Sequence, residues 1–406
     1  MKFTVVIGIA VLVMAAAATA AGSLRITTYG NGLDDLASDA LLLEDGGMII
    51  VGDTIVAYEP EIIRHILLLR LDADGQLLWT RTYGGDRPSS GHGITADGTG
   101  GFTVSGAIRA ENEDSEMVLL HVDSDGNELW SRTFGTPRDE VGGRVVGCER
   151  DGYWVVGNSV DPNDVVADPG AAGYAGFAGR SNIYVVRTDG QGHELWSCRI
   201  ESESNTIAFG SVSVDDGIII LSGLLQYPAD DNDILLTKLN IDGDEIWSKT
   251  WAAGSALGYS LIATSDGGYV ISGLRSFPSN PALVESDALL IKVDMDGNDE
   301  WLVTYGQSHR VESADIVTET TEGSFVSCGW QTPDLFTPGD DILIAAFDRS
   351  GVRLWEELMP SSAHNIHARI FQKPDGSYAI VGSARQPGES FRIQLIEIDP
   401  HDERAE

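Results

Sequence analysis

The chain has 406 residues, with 62 Asp and Glu against 26 Lys and Arg, and a formal net charge of −36. So acidic a surface repels nucleic acid and anionic lipid, and neither is expected as a partner. Its three cysteines are an odd count, and their spacing matches no zinc motif.

Residues 1–20 have the layout of a secretory signal peptide. Lys2 is the only charge, an apolar run follows from Phe3 to Met14, and Ala18-Thr19-Ala20 fits a small-residue cleavage site. The run is too short to span a bilayer comfortably, and no other stretch is apolar enough to cross one. The expectation is a secreted or periplasmic protein cleaved near Ala20, with no membrane span. Removing Lys2 with the signal leaves 25 basic residues against 62 acidic ones, a net charge of −37.

From residue 24 onward the sequence repeats. The phrase Leu24-Arg25-Ile26-Thr27-Thr28-Tyr29-Gly30 returns as Leu78-Trp79-Thr80-Arg81-Thr82-Tyr83-Gly84 and as Leu129-Trp130-Ser131-Arg132-Thr133-Phe134-Gly135. Degenerate copies start at Trp196, Trp247, Trp301 and Trp355, and the steps from Trp79 onward are 51, 66, 51, 54 and 54 residues. A second phrase, a Gly-containing turn and then a short apolar strand ending in Gly, keeps step with the first; its seven copies include residues 45–52, 97–106 and 375–382. A third phrase runs from an apolar strand into an acidic turn just before the Trp, as in Asp72-Ala73-Asp74-Gly75 and Asp123-Ser124-Asp125-Gly126.

Each unit thus holds four short strands, here A to D, with turn signals between them and no helical periodicity. Radial repetition of four-stranded units implies an all-β, seven-bladed β-propeller of antiparallel blades. The chain ends on a strand C, residues 391–399, and opens on a lone strand D, residues 24–30. The N-terminal strand should therefore close the ring and remove its free edges. The expected domains are a signal peptide, 1–20, a single propeller, 21–400, and an acidic tail, 401–406.

The repeated Trp is expected to pack one blade on the next. Cys148 and Cys198 fall on strands A and D of the third blade, about 14 Å apart. That exceeds the reach of about 7 Å for a disulfide. With Cys328 in the sixth blade, all three read as small buried hydrophobes. The Asp-x-Asp-Gly turns carry the start of a calcium-loop pattern but lack the later ligand and the closing Glu, so they read as two-residue hairpin turns. No cofactor is assigned firmly, with calcium at these turns as the less favoured alternative.

The combination of acidic-Gly turn, Trp strand, Tyr-Gly and Asp-Gly-Gly-Tyr-Val-Ile-Ser-Gly (residues 266–273) resembles the secreted bacterial and archaeal β-propeller-repeat proteins, over about residues 24–399. A looser likeness is to the tryptophan-docking repeat of quinoprotein propellers, in which a Gly precedes a Trp by four residues as Gly75 precedes Trp79. The chain departs from the quinone enzymes of that group: it has no adjacent cysteine pair, and seven units rather than eight.

The A–B and C–D connections are short, whereas the D–A and B–C connections are long and variable, and these lie on opposite faces of such a disc. Variable loops on a rigid scaffold are where binding usually resides. The largest insertion, residues 158–182, offers Tyr174, Phe177 and Arg180. The other candidate binding residues on that face are His309, Arg310, Trp330, His364 and His367. A metal reading would bring His364, His367 and His309 together with Asp315 or Glu312; separate positions are the alternative. No Ser-His-Asp order, phosphate loop or Cys-His arrangement stands out, so no catalytic residue is assigned.

Three functions compete. The first is a non-enzymatic binding or protein-interaction module, monomeric, taking a protein or carbohydrate ligand. The second is a propeller enzyme acting on an extracellular carbohydrate or small metabolite, which needs polar side chains from several blades converging at the channel. The third is an envelope assembly scaffold.

Overall fold

The computed structural model describes residues 10–14, 24–58, 62–110, 114–148, 151–161, 180–225, 232–251, 254–277, 285–307, 309–332 and 339–398. These residues form twenty-nine strands and no helix. Strands of consecutive hairpins build seven antiparallel blades: 35–83, 89–134, 139–200, 205–251, 256–305, 311–359, and 364–398 completed by 24–30. The inner strands of neighbouring blades touch in turn, and that of blade 7 touches that of blade 1, so the ring is closed. Blades 5 and 6 also share one parallel bridge, Ser286 to Val311.

The N-terminal strand closes the ring as expected. Leu24–Gly30 pairs antiparallel with Arg392–Ile398, taking the outer place in blade 7. Across the same seam the Ala37 amide donates to Ser383 Oγ at 2.8 Å, and the Asp35 amide to the Phe391 carbonyl at 3.0 Å. Ala10–Met14, within the expected signal, adds a fifth strand outside Leu24–Gly30. The rest of that signal, residues 1–9 and 15–20, and the tail 401–406 lie outside the described residues.

Strands B and C are mainly apolar, as in Met48–Ala57 and Ile63–Leu71, and mostly buried because a blade lies against each of their faces. Their ends carry polar side chains that are nonetheless buried, including Thr54, Asn158 and Ser159. Hydropathy therefore cuts these strands short. The B–C connections are long in sequence partly because their first and last residues are strand: 158–161 and 180–182 of the great insertion continue the sheet.

Each inner strand bulges at one shared place. The register slips at Ala37/Asp39, Gly91/Gly93, Gly142/Arg144, Ala208/Gly210, Gly258/Ser260, Ser313/Ile316 and His367/Arg369. The strand-B glycine opposite permits this. A Cβ on Gly52 would stand 1.7 Å from the Leu36 carbonyl oxygen. Bulges re-aim side chains, and here they turn a register of residues toward the channel.

The Trp strands join blade to blade. The indoles of Trp79, Trp130, Trp196, Trp247 and Trp301 lie against the C–D turn glycines of the next blade: Gly126, Gly192, Gly243, Gly297 and Gly351. Trp196 and Trp301 also donate Nε1–H to turn carbonyls, those of Ile241 at 3.1 Å and Arg349 at 2.9 Å. The turn itself differs from the expected two-residue form. Only the glycine has a positive φ, +74° at Gly75, and its amide donates to the Asp72 carbonyl. This is a type I turn followed by a left-handed glycine. The first acid caps it: Asp72 Oδ1 accepts the amides of Asp74 and Gln76. Asp123, Asp189, Asp294 and Asp348 do the same in their own turns.

All three cysteines are free thiols, but only Cys328 is fully buried. Cys148 and Cys198 are half-buried against one apolar cluster.

Candidate functional site

The channel wall comes from the inner strands, and its chemistry follows from the bulge. The bulge place holds Ser38, His92, Gly143, Phe209, Tyr259, Asp315 and Ala368, each fourteen residues before a strand-B glycine. The next place, thirteen residues before that glycine, holds Asp39, Arg144 and Arg369 in blades 1, 3 and 7, and Gly, Gly, Ser and Ile in the others. The three ionic side chains meet. Arg144 Nη1 stands 3.1 Å from Asp39 Oδ2, and Arg369 Nε stands 2.5 Å from Asp39 Oδ1.

Arg144 also donates to the Ser38 carbonyl at 3.2 Å and the Phe209 carbonyl at 3.4 Å. A single side chain thus touches the inner strands of blades 1 and 4 from blade 3. Only a position inside the channel allows this. The Asp39 side chain is 2% exposed, Arg144 24% and Arg369 31%. The carboxylate lies beneath and the guanidiniums face the channel. Burial pushes the Asp39 carboxyl up, but Arg369 and Arg144 outweigh it and hold the group below the usual carboxylate range. The amides of Ala40 and Ile94 donate to it as well.

Beside this cluster lies a second pair. His367 Nδ1 is 3.1 Å from Asp315 Oδ2, linking blades 7 and 6. Burial pulls the imidazole pKa down, but its interactions with Cys328 and Asp315 outweigh that and push it up to about 10. His92, on blade 2, is the opposite case: burial holds it below its ordinary value, with Nδ1 on the Gly142 carbonyl and Nε2 2.9 Å from Ser90 Oγ. On blades 4 and 5, Phe209 and Tyr259 meet edge to face at 5.6 Å.

On the loop face, a cleft of about 440 Å³ opens where the D–A and B–C connections around blade 2 meet. Arg64, Arg109, Ser115 and Asp139 supply its polar groups, and Pro88 and Val141 its apolar wall. Arg64 is held by Asp53 at 2.5 Å, and the amide of Ser115 donates to Asp139 Oδ1 at 3.0 Å.

The residues expected from sequence are dispersed. Tyr174 and Phe177 lie outside the described residues, and Arg180 opens the third strand of blade 3. His309 is exposed at a positive φ of +66°, its amide on Glu285 Oε1, with Arg310 next to it. Trp330 is half-exposed in strand B of blade 6. His364 pairs with Asp340 and stands edge to face with Phe391. The two histidines read together thus diverge, His364 to Asp340 and His367 to Asp315. Among the described residues no group of three or more His, Cys, Asp or Glu could hold a metal ion.

Sequence reading missed Asp39, Arg144 and Arg369, and missed that His367 and Cys328 are neighbours. The signal was present for the first three. They share one register against the strand-B glycine, and aligning the repeats on that glycine isolates them.

No family model matches the chain, and no curated protein does. Solved structures do resemble it. The β-propeller domain of the Trilobed protease from Pyrococcus furiosus aligns at 10% identity with a TM-score of 0.48, covering 91% of this chain and 97% of that one. The acylaminoacyl peptidase of Pyrococcus horikoshii aligns at 10% identity and a TM-score of 0.48, covering 89% of this chain and 50% of that one. A puromycin hydrolase aligns at 11% identity and a TM-score of 0.46, covering 87% and 59%. This chain therefore spans about half the length of each of the two hydrolases. The likenesses are distant, and the architecture rests on the strand pairing of the chain itself.

Proposed function

We propose that the chain is an exported binding module of the secreted β-propeller-repeat kind, which takes its ligand on the loop face at the cleft over blade 2. The cleft carries this reading. Its volume of about 440 Å³ lies within the range of small-ligand sites, roughly 300–1,000 Å³. Arg64, Arg109 and Asp139 give it fixed polar groups of both signs beside an apolar wall. A polar carbohydrate or a short peptide segment suits such a mixture. Export near Ala20 would place the site in the periplasm or outside the cell.

The test uses the mature protein against a carbohydrate and peptide panel, read by calorimetry. Ser115→Trp fills the cleft. Lost binding at an unchanged melting temperature supports the reading; a ligand held equally well by the Ser115→Trp protein refutes it.

The convergence of Asp39, Arg144, Arg369, Asp315 and His367 from four blades favours a second reading, a propeller enzyme acting on a small extracellular metabolite. Against it, both carboxylates are engaged, Asp39 by two guanidiniums and Asp315 by an imidazole. Neither is free to act as a base. Turnover of a panel substrate that disappears in Asp315→Asn, with binding retained, would establish the enzyme.

A further inference from the structure

We infer that Arg144 and Arg369 form a binding site inside the channel for the carboxylate of a small organic acid, a site separate from the loop-face cleft. Two guanidiniums converge on one carboxylate, which leaves the cluster with an excess of one positive charge. The neighbours do not cancel it. His92 is held neutral by burial, and His367 and Asp315 compensate each other.

The donors are unspent as well. Arg144 engages the protein through Nε and Nη1, and Arg369 through Nε alone. Arg144 Nη2 and both terminal nitrogens of Arg369 have no partner among the described residues, and both side chains face channel solvent. Asp39, itself 2% exposed, fixes the guanidiniums from behind. They are therefore oriented before any ligand arrives, which is how paired arginines recognise planar oxyanions.

A purely structural plug would not need this composition. Blade 6 fills the same register with Ile316, and replacing buried ions by apolar side chains is often neutral or stabilising. Cations are also scarce here, 26 against 62 acids, and two of them share one register of the repeat. The single excess charge selects the ligand. A monocarboxylate balances it, while a phosphate dianion would leave one negative charge uncompensated.

The experiment titrates the purified protein with sodium acetate and with inorganic phosphate at pH 8, each against sodium chloride of equal ionic strength, and follows the melting temperature and the heat of binding. Acetate should stabilise saturably beyond chloride. Arg369→Met should abolish the saturable part. Asp39→Asn, which keeps an acceptor oxygen behind the guanidiniums but raises the excess positive charge to two, should tighten acetate binding at least tenfold, and it decides the matter if Arg369→Met does not fold. Ser115→Trp should leave the acetate response unchanged, so the cleft and the channel stand or fall separately. Absence of saturable acetate binding in both the wild type and Asp39→Asn overturns the inference. So does weaker binding by Asp39→Asn than by the wild type, phosphate binding tighter than acetate, or loss of acetate binding in a folded Ser115→Trp protein.

Discussion

Nδ1 of His367 on blade 7 stands 3.1 Å from Oδ2 of Asp315 on blade 6, and the imidazole occupies a place where the other six blades carry only Gly or Ala. The folded-state pKa, about 10, lies above the ordinary value of 6.5. The stabilisation is therefore complete below pH 6.5 and is lost as pH rises through 10. Urea unfolding from pH 6 to 10.5 should show stability falling by about 2 kcal/mol or more over that range. In His367→Ala the slope should flatten. A wild-type profile without this decline would show that the pair is not charged.

Glu312 gives a second pH dependence. It is buried, and burial drives its carboxyl up from 4.5 to about 7. Its raised folded pKa means that its contribution is present below pH 4.5 and lost as pH climbs through 7. Glu312→Gln keeps an oxygen for the Gln307 amide, which now donates to Oε1 at 2.7 Å. The substitution should raise stability at pH 8 by about 1 kcal/mol and leave it unchanged at pH 4. Equal gains at both values would rule out the ionisation as the cause.

Blade docking is testable at one contact. Gly192 has φ +75°, and a Cβ there would lie 2.4 Å from the Trp130 ring. Gly192→Ala should cost about 2 kcal/mol, since backbone strain and the clash add. Trp130 stacks on His121 at 5.0 Å and packs near Tyr153. Trp130→Ala should cost about 3 kcal/mol in chemical denaturation. Values under 1 kcal/mol for both would mean that the indole does not hold the blades together.

Closure is testable at the seam. A chain lacking residues 1–31 loses the outer strand of blade 7 and leaves Arg392–Ile398 as an open edge. Open edges invite pairing between chains. The truncated protein should melt lower and run as oligomers in size-exclusion chromatography with light scattering. Unchanged melting and a monomer would contradict the strand order.

How much of this was legible in sequence follows the physics of each layer. Blade number, strand order and the closing strand were legible because Trp79, Trp130 and their copies recur in step with the strand-B glycines. The lengths of strands B and C were not, because Thr54, Asn158 and Ser159 are polar yet buried by hydrogen bonds. The turn type was missed because Asp-Gly serves two hairpin geometries, and only the φ of residues such as Gly75 separates them. The channel belt was hidden because Asp39 and Arg369 lie at opposite ends of the chain. Either residue alone reads as one more surface charge.

The pairing of Leu24–Gly30 with Arg392–Ile398 also sets an order of events in time. Blades 1 to 6 each form from neighbouring sequence and can assemble as the chain leaves the ribosome. Blade 7 cannot, because its outer strand is made before blade 1 and its partner after blade 6. Asp34 and Phe391, which bond across the seam, are 357 residues apart. The entropy of closing so long a loop grows only slowly with its length, so the penalty falls on when the ring closes rather than on its final stability. A nascent chain is thus an open arc with an unoccupied edge, and the circle is sealed only once Arg392–Ile398 has emerged.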